Sequence, residues 1–199
     1  MLRSDSLDET ADTADPTEES TMYLPSLPEN ATLLDVFRAY PDTARPLLDY
    51  HQALMRGPSP LEVAERELIA AYVSALNACG YCHGIHSKVA ESFGVSQDTL
   101  AAVLDDLETA PVAEKMRPVL RYVRKLTLTP SRITPEDASA VLDAGWQERA
   151  LHDVVAVCAL FNMANRFVDG LGVAVSPDLS AMSAQRLTSI EYAGLKDLL

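Results

Sequence analysis

Helix start and stop signals recur at short intervals from about residue 30 onward, and no segment alternates apolar with polar residues as a half-buried strand would. Residues 31 to 56 give a helical segment interrupted at Pro41 and again near Pro46, ending at Gly57. Ser59-Pro60-Leu61-Glu62 then supplies an N-cap, a proline for the first helical position and a capping-box glutamate, so a helix is expected from there to about Ala78. A break near residues 78 to 81, at Gly80, precedes a second helix that carries HGIHSKVAESF to its stop at Gly94. Ser96 caps a further helix through Leu107, and residues 112 to 128 form another with Pro118 as a kink. Thr134-Pro135-Glu136 opens a short helix ending at Gly145, and the last long one runs from about Gln147 to Val168. Ala and Leu outnumber β-branched residues in most of these segments, so the fold class is all-α, with antiparallel helices joined by short connections. Residues 173 to 199 are less regular and suggest a cover for a neighbouring element.

The 199 residues are 48% apolar and 23% charged, which suits one globular domain able to bury a real core. The formal net charge is -13, and residues 1 to 20 alone hold seven acids against Arg3. Residues 1 to 22 are therefore expected to be a disordered acidic tail, residues 23 to 175 the helical domain, and residues 176 to 199 a C-terminal extension. The rest of the chain is acidic too, which argues against nucleic acid and anionic lipid as partners, since both select clustered Lys and Arg. The N-terminus has no continuous apolar run, and no later window offers the ~18 uncharged residues of a membrane span, so a cytoplasmic location is expected. Three cysteines, two of them three positions apart, do not resemble a secreted disulfide scaffold.

Those two cysteines stand in NACGYCHGIHS, residues 77 to 87, with two of the four histidines. At ~100° per residue, Cys79, Cys82, His83 and His86 fall within one third of a helical circumference, and Cys82 can touch Cys79 on one side and His86 on the other. Three chemistries fit. A helix N-terminus and an imidazole both favour a reactive thiolate, and positions i and i+3 are close enough for a disulfide to form, which suits thiol redox catalysis. Two thiolates and two imidazoles also make a tetrahedral zinc set, although all four ligands would come from one short stretch. Cys79-Gly80-Tyr81-Cys82-His83 matches the C-x-x-C-H of covalent haem, a reading that needs an exported chain. The bland alternative is a pair of packed core thiols. Redox chemistry is the preferred reading, with neither cofactor nor metal.

From Glu65 to His86 the sequence ERELIAAYVSALNACGYCHGIH resembles the core of the AhpD-like alkylhydroperoxidases within the carboxymuconolactone decarboxylase superfamily. That motif is a glutamate twelve positions before a C-x-x-C pair and a histidine four after its second cysteine, and here it falls on Glu67, Cys79, Cys82 and His86. RKLTLTP, DAGW and FNMANRFVDGLGV resemble the peroxidase-related branch, so the likeness covers roughly residues 30 to 175. It implies an AhpD-like helical domain with the C-x-x-C helix in its core. It further implies a peroxidase in which Cys82 attacks the hydroperoxide, Cys79 is the resolving and partner-facing thiol, and Glu67 with His86 forms a proton relay. A dithiol or protein reductant would complete the cycle. One departure is Tyr81, which stands where the family's best-studied members carry a histidine between the cysteines.

The helical neighbours of Glu67 include no cation, so burial is expected to raise its pKa toward that of a working base. Asn162, Asn165, Arg166 and Asp169 form a polar seam on the last long helix, and Arg166 and Asp169 are expected to pair. Cys158 reads as a core thiol, His51 and His152 as structural or exposed, and Trp146 as a buried helix-junction anchor. The apolar faces of residues 61 to 76 and 151 to 161 look extensive for a small monomer, which, with the family's habit, suggests a homo-trimer or homo-hexamer. Two other functions stay open: a cofactor-free decarboxylase or lactone-processing enzyme, and a non-catalytic redox sensor or metal-binding oligomer.

Overall fold

The computed structural model describes residues 22–199 apart from Ala174, so residues 1–21 of the expected acidic tail lie outside the described residues. The chain folds as α1 (Leu33–Ala39), α2 (Pro41–Met55), α3 (Val63–Leu76), α4 (Gly80–Ser92), α5 (Gln97–Asp105), α6 (Met116–Leu128), α7 (Pro135–Asp143), α8 (Glu148–Leu171), α9 (Pro177–Ser189) and α10 (Glu191–Leu195). Short 3₁₀ turns follow α6 and α10, and no strand occurs among the described residues. The fold is all-α, as the helix punctuation predicts.

The centre of the molecule is α3, whose residues from Arg66 to Ser74 are all buried. A helix that is apolar around most of its circumference belongs inside. Here α4, α8, α6 and α5 surround it. The faces of residues 61 to 76 and 151 to 161 that suggested assembly are thus largely covered within one chain: Leu68, Ile69 and Val73 on α3 and Val154, Val157 and Phe161 on α8 are all core residues. By length and composition α8 could also cross a membrane, yet its apolar side packs against α3 and α6.

Several boundaries differ from the expected ones for identifiable reasons. Ser59 does not cap α3, because its hydroxyl donates to Asp153 Oδ2 at 2.6 Å and accepts from the Leu61 amide at 3.1 Å. The cap passes to Glu62, whose amide donates to the Glu65 carboxylate at 2.9 Å. Pro41 starts α2 at its first position, whereas Pro46 sits inside α2 without breaking it. The lost hydrogen bond there is offset by burial of Ala44 and Leu48 on either side. Pro118 makes no kink, since α6 begins only at Met116 and the proline falls in its first turn, where amides lack partners anyway. Gly172, with φ +64°, extends the stop of α8 beyond Val168. Trp146 buries its ring and donates Nε1–H to the Lys115 carbonyl at 2.8 Å.

The polar seam of α8 is a clamp on the end of α3. An Arg166–Asp169 pair does not form, because Arg166 reaches back one turn and donates to Asn162 O and Oδ1 at 2.6 and 3.0 Å. Asn77 Nδ2 donates to the Asn162 and Asn165 side-chain oxygens at 3.1 and 2.8 Å, and Asn165 Nδ2 donates to Ser74 Oγ at 3.0 Å. Asn165 is buried. Asn165→Leu is therefore expected to lower unfolding free energy by about 1–3 kcal/mol, by removing one hydrogen bond each from buried Ser74 Oγ and from Asn77 Nδ2. A urea-denaturation midpoint unchanged from wild type would contradict that.

Residues 176–199, expected as an extension, pack into the body of the same chain. Ala184, Leu187 and Tyr192 join the main core. Gly84 lets α9 approach α4 closely, since a Cβ there would stand 2.9 Å from Ser180 Oγ. On the other side, Gln52 of α2 donates to Glu191 at 2.7 Å and accepts from the Ala193 amide at 2.9 Å.

Candidate active site

Between α3 and α4 the chain turns within three residues. Asn77 caps α3, Ala78 takes the left-handed conformation at φ +55°, and Cys79 is the extended N-cap of α4. Left-handed alanine costs about 1–2 kcal/mol, held here by the bonds on either side of it. The Asn77 amide side chain is fixed by the α8 clamp, and the Cys79 N–H donates to Ser74 O at 2.9 Å. The turn places Cys79 at the mouth of α4 and Cys82 in its first turn.

Both thiols are free and buried, with exposures of 1% for Cys79 and 4% for Cys82. Cys79 lies under Met22, Ala31 and Val36 and so does not face outward, contrary to its expected partner-facing position. The N-terminal segment seals it. The Cys79 pKa stands well above the usual thiol range, first through its interaction with the neighbouring Cys82 thiol and then through burial. A thiol that keeps its proton beside Cys82 can later donate it.

Glu67 is wholly buried at the centre of α3. Its Oε1 accepts from Arg56 Nη1 at 2.6 Å and its Oε2 accepts from His86 Nδ1–H at 2.7 Å. Burial alone would raise its pKa, as expected from its neighbours, but His86 and then Arg56 outweigh burial and hold the carboxyl below its ordinary value. The cation comes from the C-cap of α2, eleven positions upstream, where helical spacing on α3 gives no hint of it. Arg56 is buried itself, lying 5.3 Å from the Phe93 ring centre and 5.2 Å from that of Tyr192. With Nδ1–H fixed on the carboxylate, His86 presents Nε2 as its basic nitrogen.

Cys82 and His86, one turn apart on α4, line the same cavity of about 110 Å³. Its walls are mainly apolar, from Phe37 and Leu47 near the N-terminal side to Phe161, Phe167 and Leu187. Two further groups line it that no sequence signal marks. The Nδ1–H of His51 donates to the Leu47 carbonyl at 2.8 Å, and the Tyr192 ring lies 5.1 Å from the His51 ring. His83, grouped with the others by helical angle, faces elsewhere: its Nδ1 bonds the Ala71 carbonyl at 3.1 Å and its ring borders a separate groove. The ~100° between His83 and Cys82 on the helix is enough to put them on different surfaces. Among the described residues no three His, Cys, Asp or Glu side chains gather closely enough to hold a metal ion. Cys158 packs in the core beside Thr127 Oγ1, and His152 is exposed beside Asp153.

Residues 41–125 match the model of the carboxymuconolactone decarboxylase family. The uncharacterized protein YnjA of Escherichia coli (strain K12) is 33% identical over 122 residues, a region spanning 60% of this chain and 65% of YnjA, so a third of that relative has no counterpart in the match. The crystal structure of an uncharacterized peroxidase-related protein with an alkylhydroperoxidase AhpD core, from Ralstonia eutropha JMP134, has a similar fold at TM-score 0.68, 24% identity and coverage of 75% of this chain and 78% of its own. The debrominase Bmp8, solved as a cysteine-to-alanine variant with 2,3,4-tribromopyrrole, is similar at TM-score 0.65 and 17% identity, over 79% of this chain and 83% of its own.

Proposed function

We propose that this chain, whose residues 41–125 match the carboxymuconolactone decarboxylase family and whose fold is similar to that of a peroxidase-related protein with an AhpD core, is a thiol-dependent peroxidase that reduces hydrogen peroxide or organic hydroperoxides at Cys82. One observation carries this reading: the buried series Arg56, Glu67, His86 ends one helical turn from a thiol that lines an apolar cavity. Peroxide reduction requires a thiolate, an acid for the departing alkoxide and a second thiol, and the site supplies each.

The Cys82 thiol gives its proton to His86 Nε2, and the imidazolium is stabilised by anionic Glu67. The thiolate attacks the terminal oxygen of ROOH, forming an S–O bond as the O–O bond breaks. The alkoxide leaves with the bond pair and takes the proton from His86, giving ROH and a Cys82 sulfenic acid. Cys79 then attacks that sulfur. An S–S bond forms and the hydroxyl departs as water with the Cys79 proton. A dithiol, small or carried by a protein, restores both thiols by exchange, entering at the Cys82 sulfur that the cavity reaches. Roughly 150 Å³ of apolar cavity holds benzene in other proteins, so a space of about 110 Å³ suits hydrogen peroxide or a short-chain alkyl hydroperoxide.

Stopped-flow peroxide consumption with dithiothreitol as donor tests the proposal. Wild type is expected to exceed the rate of free dithiol, Cys82→Ser to fall to that background, and Cys79→Ser to turn over more slowly than wild type, its Cys82 sulfenic acid being resolved only by dithiothreitol itself. Full activity in Cys82→Ser refutes the assignment. The apolar walls around Cys82 also favour a second reading, reductive dehalogenation, the activity for which Bmp8 is named. In that case a carbon–halogen bond becomes carbon–hydrogen, halide leaves, and the two thiols supply two electrons by closing to a disulfide. Bromide release from tribromopyrrole, with peroxide consumption at background, would select it.

A further inference from the structure

The peroxidase reading leaves one buried imidazole of the cavity without a task. His51 projects from α2 into the wall that Cys82 and His86 share, and its single observed bond is the one from Nδ1–H to the Leu47 carbonyl at 2.8 Å. That bond fixes the tautomer and leaves Nε2 as the ring's free polar atom, an acceptor. Phe161 stands edge-on to both imidazoles, with ring centres 6.3 Å from His51 and 4.4 Å from His86, and so wedges them apart. The Tyr192 ring lies against the other side of His51. An acceptor fixed in a mainly apolar cavity wall is satisfied by a donor that enters the cavity.

We infer that His51 is a second functional imidazole, whose Nε2 accepts a hydrogen bond from the O–H of a bound hydroperoxide and thereby presents the terminal oxygen to Cys82. The inference rests on the peroxidase reading. The oxygen that a thiolate attacks is the one bearing hydrogen, so a fixed acceptor opposite the sulfur selects that oxygen over the one bonded to carbon. Two imidazoles then divide the work: His86 carries the proton between sulfur and alkoxide, and His51 orients. The facing groups agree with this division. Glu67 and His86 are the charged or titratable groups whose fields reach His51, and burial, the largest influence, lowers its pKa to about 4, which keeps the ring an acceptor at neutral pH. Substrates carrying the terminal O–H satisfy Nε2, while a dialkyl peroxide of the same size does not.

The test separates peroxide chemistry from thiolate reactivity. For wild type, His51→Phe and His51→Gln, kcat/KM is measured with ethyl hydroperoxide, alongside the rate of Cys82 alkylation by iodoacetamide, a reagent with no peroxide hydroxyl. His51→Phe keeps the aromatic packing but no acceptor, and is expected to lose about 100-fold in kcat/KM while alkylation stays within twofold. His51→Gln retains an acceptor oxygen and is expected to stay within about tenfold of wild type. Equal loss in both assays, full peroxide activity in His51→Phe, or a His51→Gln variant as slow as His51→Phe overturns the inference. A wild-type protein no faster than free dithiol instead removes the peroxidase reading itself, and the role of His51 falls with it.

Discussion

Arg56→Met is expected to destabilise the protein by about 3–5 kcal/mol, among the largest effects of any single substitution in the site. The reason lies at Glu67, whose carboxylate is wholly buried and bonded to Arg56 at 2.6 Å and His86 at 2.7 Å. Without the guanidinium, burial opposes the anion with only an imidazole to balance it, so the folded state must either hold an under-compensated charge or take up a proton. The double variant Arg56→Met plus Glu67→Gln has no buried charge to compensate and keeps a carbonyl oxygen for His86 Nδ1–H. It is expected to recover at least half of the loss. Urea unfolding of the three proteins at pH 7 decides the matter: a single variant within about 1 kcal/mol of wild type, or a double variant no better than the single, shows that the ion pair is not what holds this centre.

The second large effect is a loss of stability in mild acid. Burial lowers the His51 pKa from 6.5 to about 4 in the folded chain. An unfolded chain takes up a proton at His51 as pH drops through 6.5, while the folded chain refuses it until about 4. Unfolding thus binds a proton across that window, and stability falls with falling pH, by about 3 kcal/mol over the whole interval. Glu67 acts in the same direction at lower pH. Its folded pKa is depressed below the ordinary 4.5, so the stability it contributes is present above that value and disappears as pH falls through the folded one. His51→Phe removes the histidine contribution alone and should flatten the curve between pH 6.5 and 4, leaving the steeper drop below. Equal slopes for wild type and variant in that interval would show that His51 is protonated in the folded protein.

Much of the architecture is written in local chemistry. Thr134-Pro135, Ser96 and the glycines at 94 and 145 mark helix ends because caps and left-handed turns depend on a few adjacent residues. Ser59 misleads for the converse reason: its hydroxyl is taken by Asp153, 94 residues away, and no local rule reports that. The same divide runs through the site. Glu67, Cys79, Cys82 and His86 stand out because two helices carry them at fixed spacing, and the structure joins Glu67 to His86 and buries both thiols at the start of α4. Arg56, His51 and Tyr192 come from α2 and α10, so their presence depends on which helices pack together. Arg56 also reverses the expected direction of the Glu67 pKa, since only the fold brings in the cation. His83 errs the other way, because a shared helical sector is too coarse to tell a cavity wall from an outer groove.

The cavity has two authors along the chain. The sulfurs, the relay and both imidazoles all fall between residues 41 and 125, the stretch matched to the family, whereas Leu33, Phe37, Phe161, Phe167, Leu187 and Leu195, which bound the same space, come from outside it. The reactive groups thus lie wholly in the matched stretch, which shares the walls, through Leu47, Leu48 and Ile85, with residues on either side of it. Substitutions in the last two helices, at Leu187 or Leu195, should therefore retune which molecules the cavity admits without touching Cys79, Cys82, His86 or Glu67.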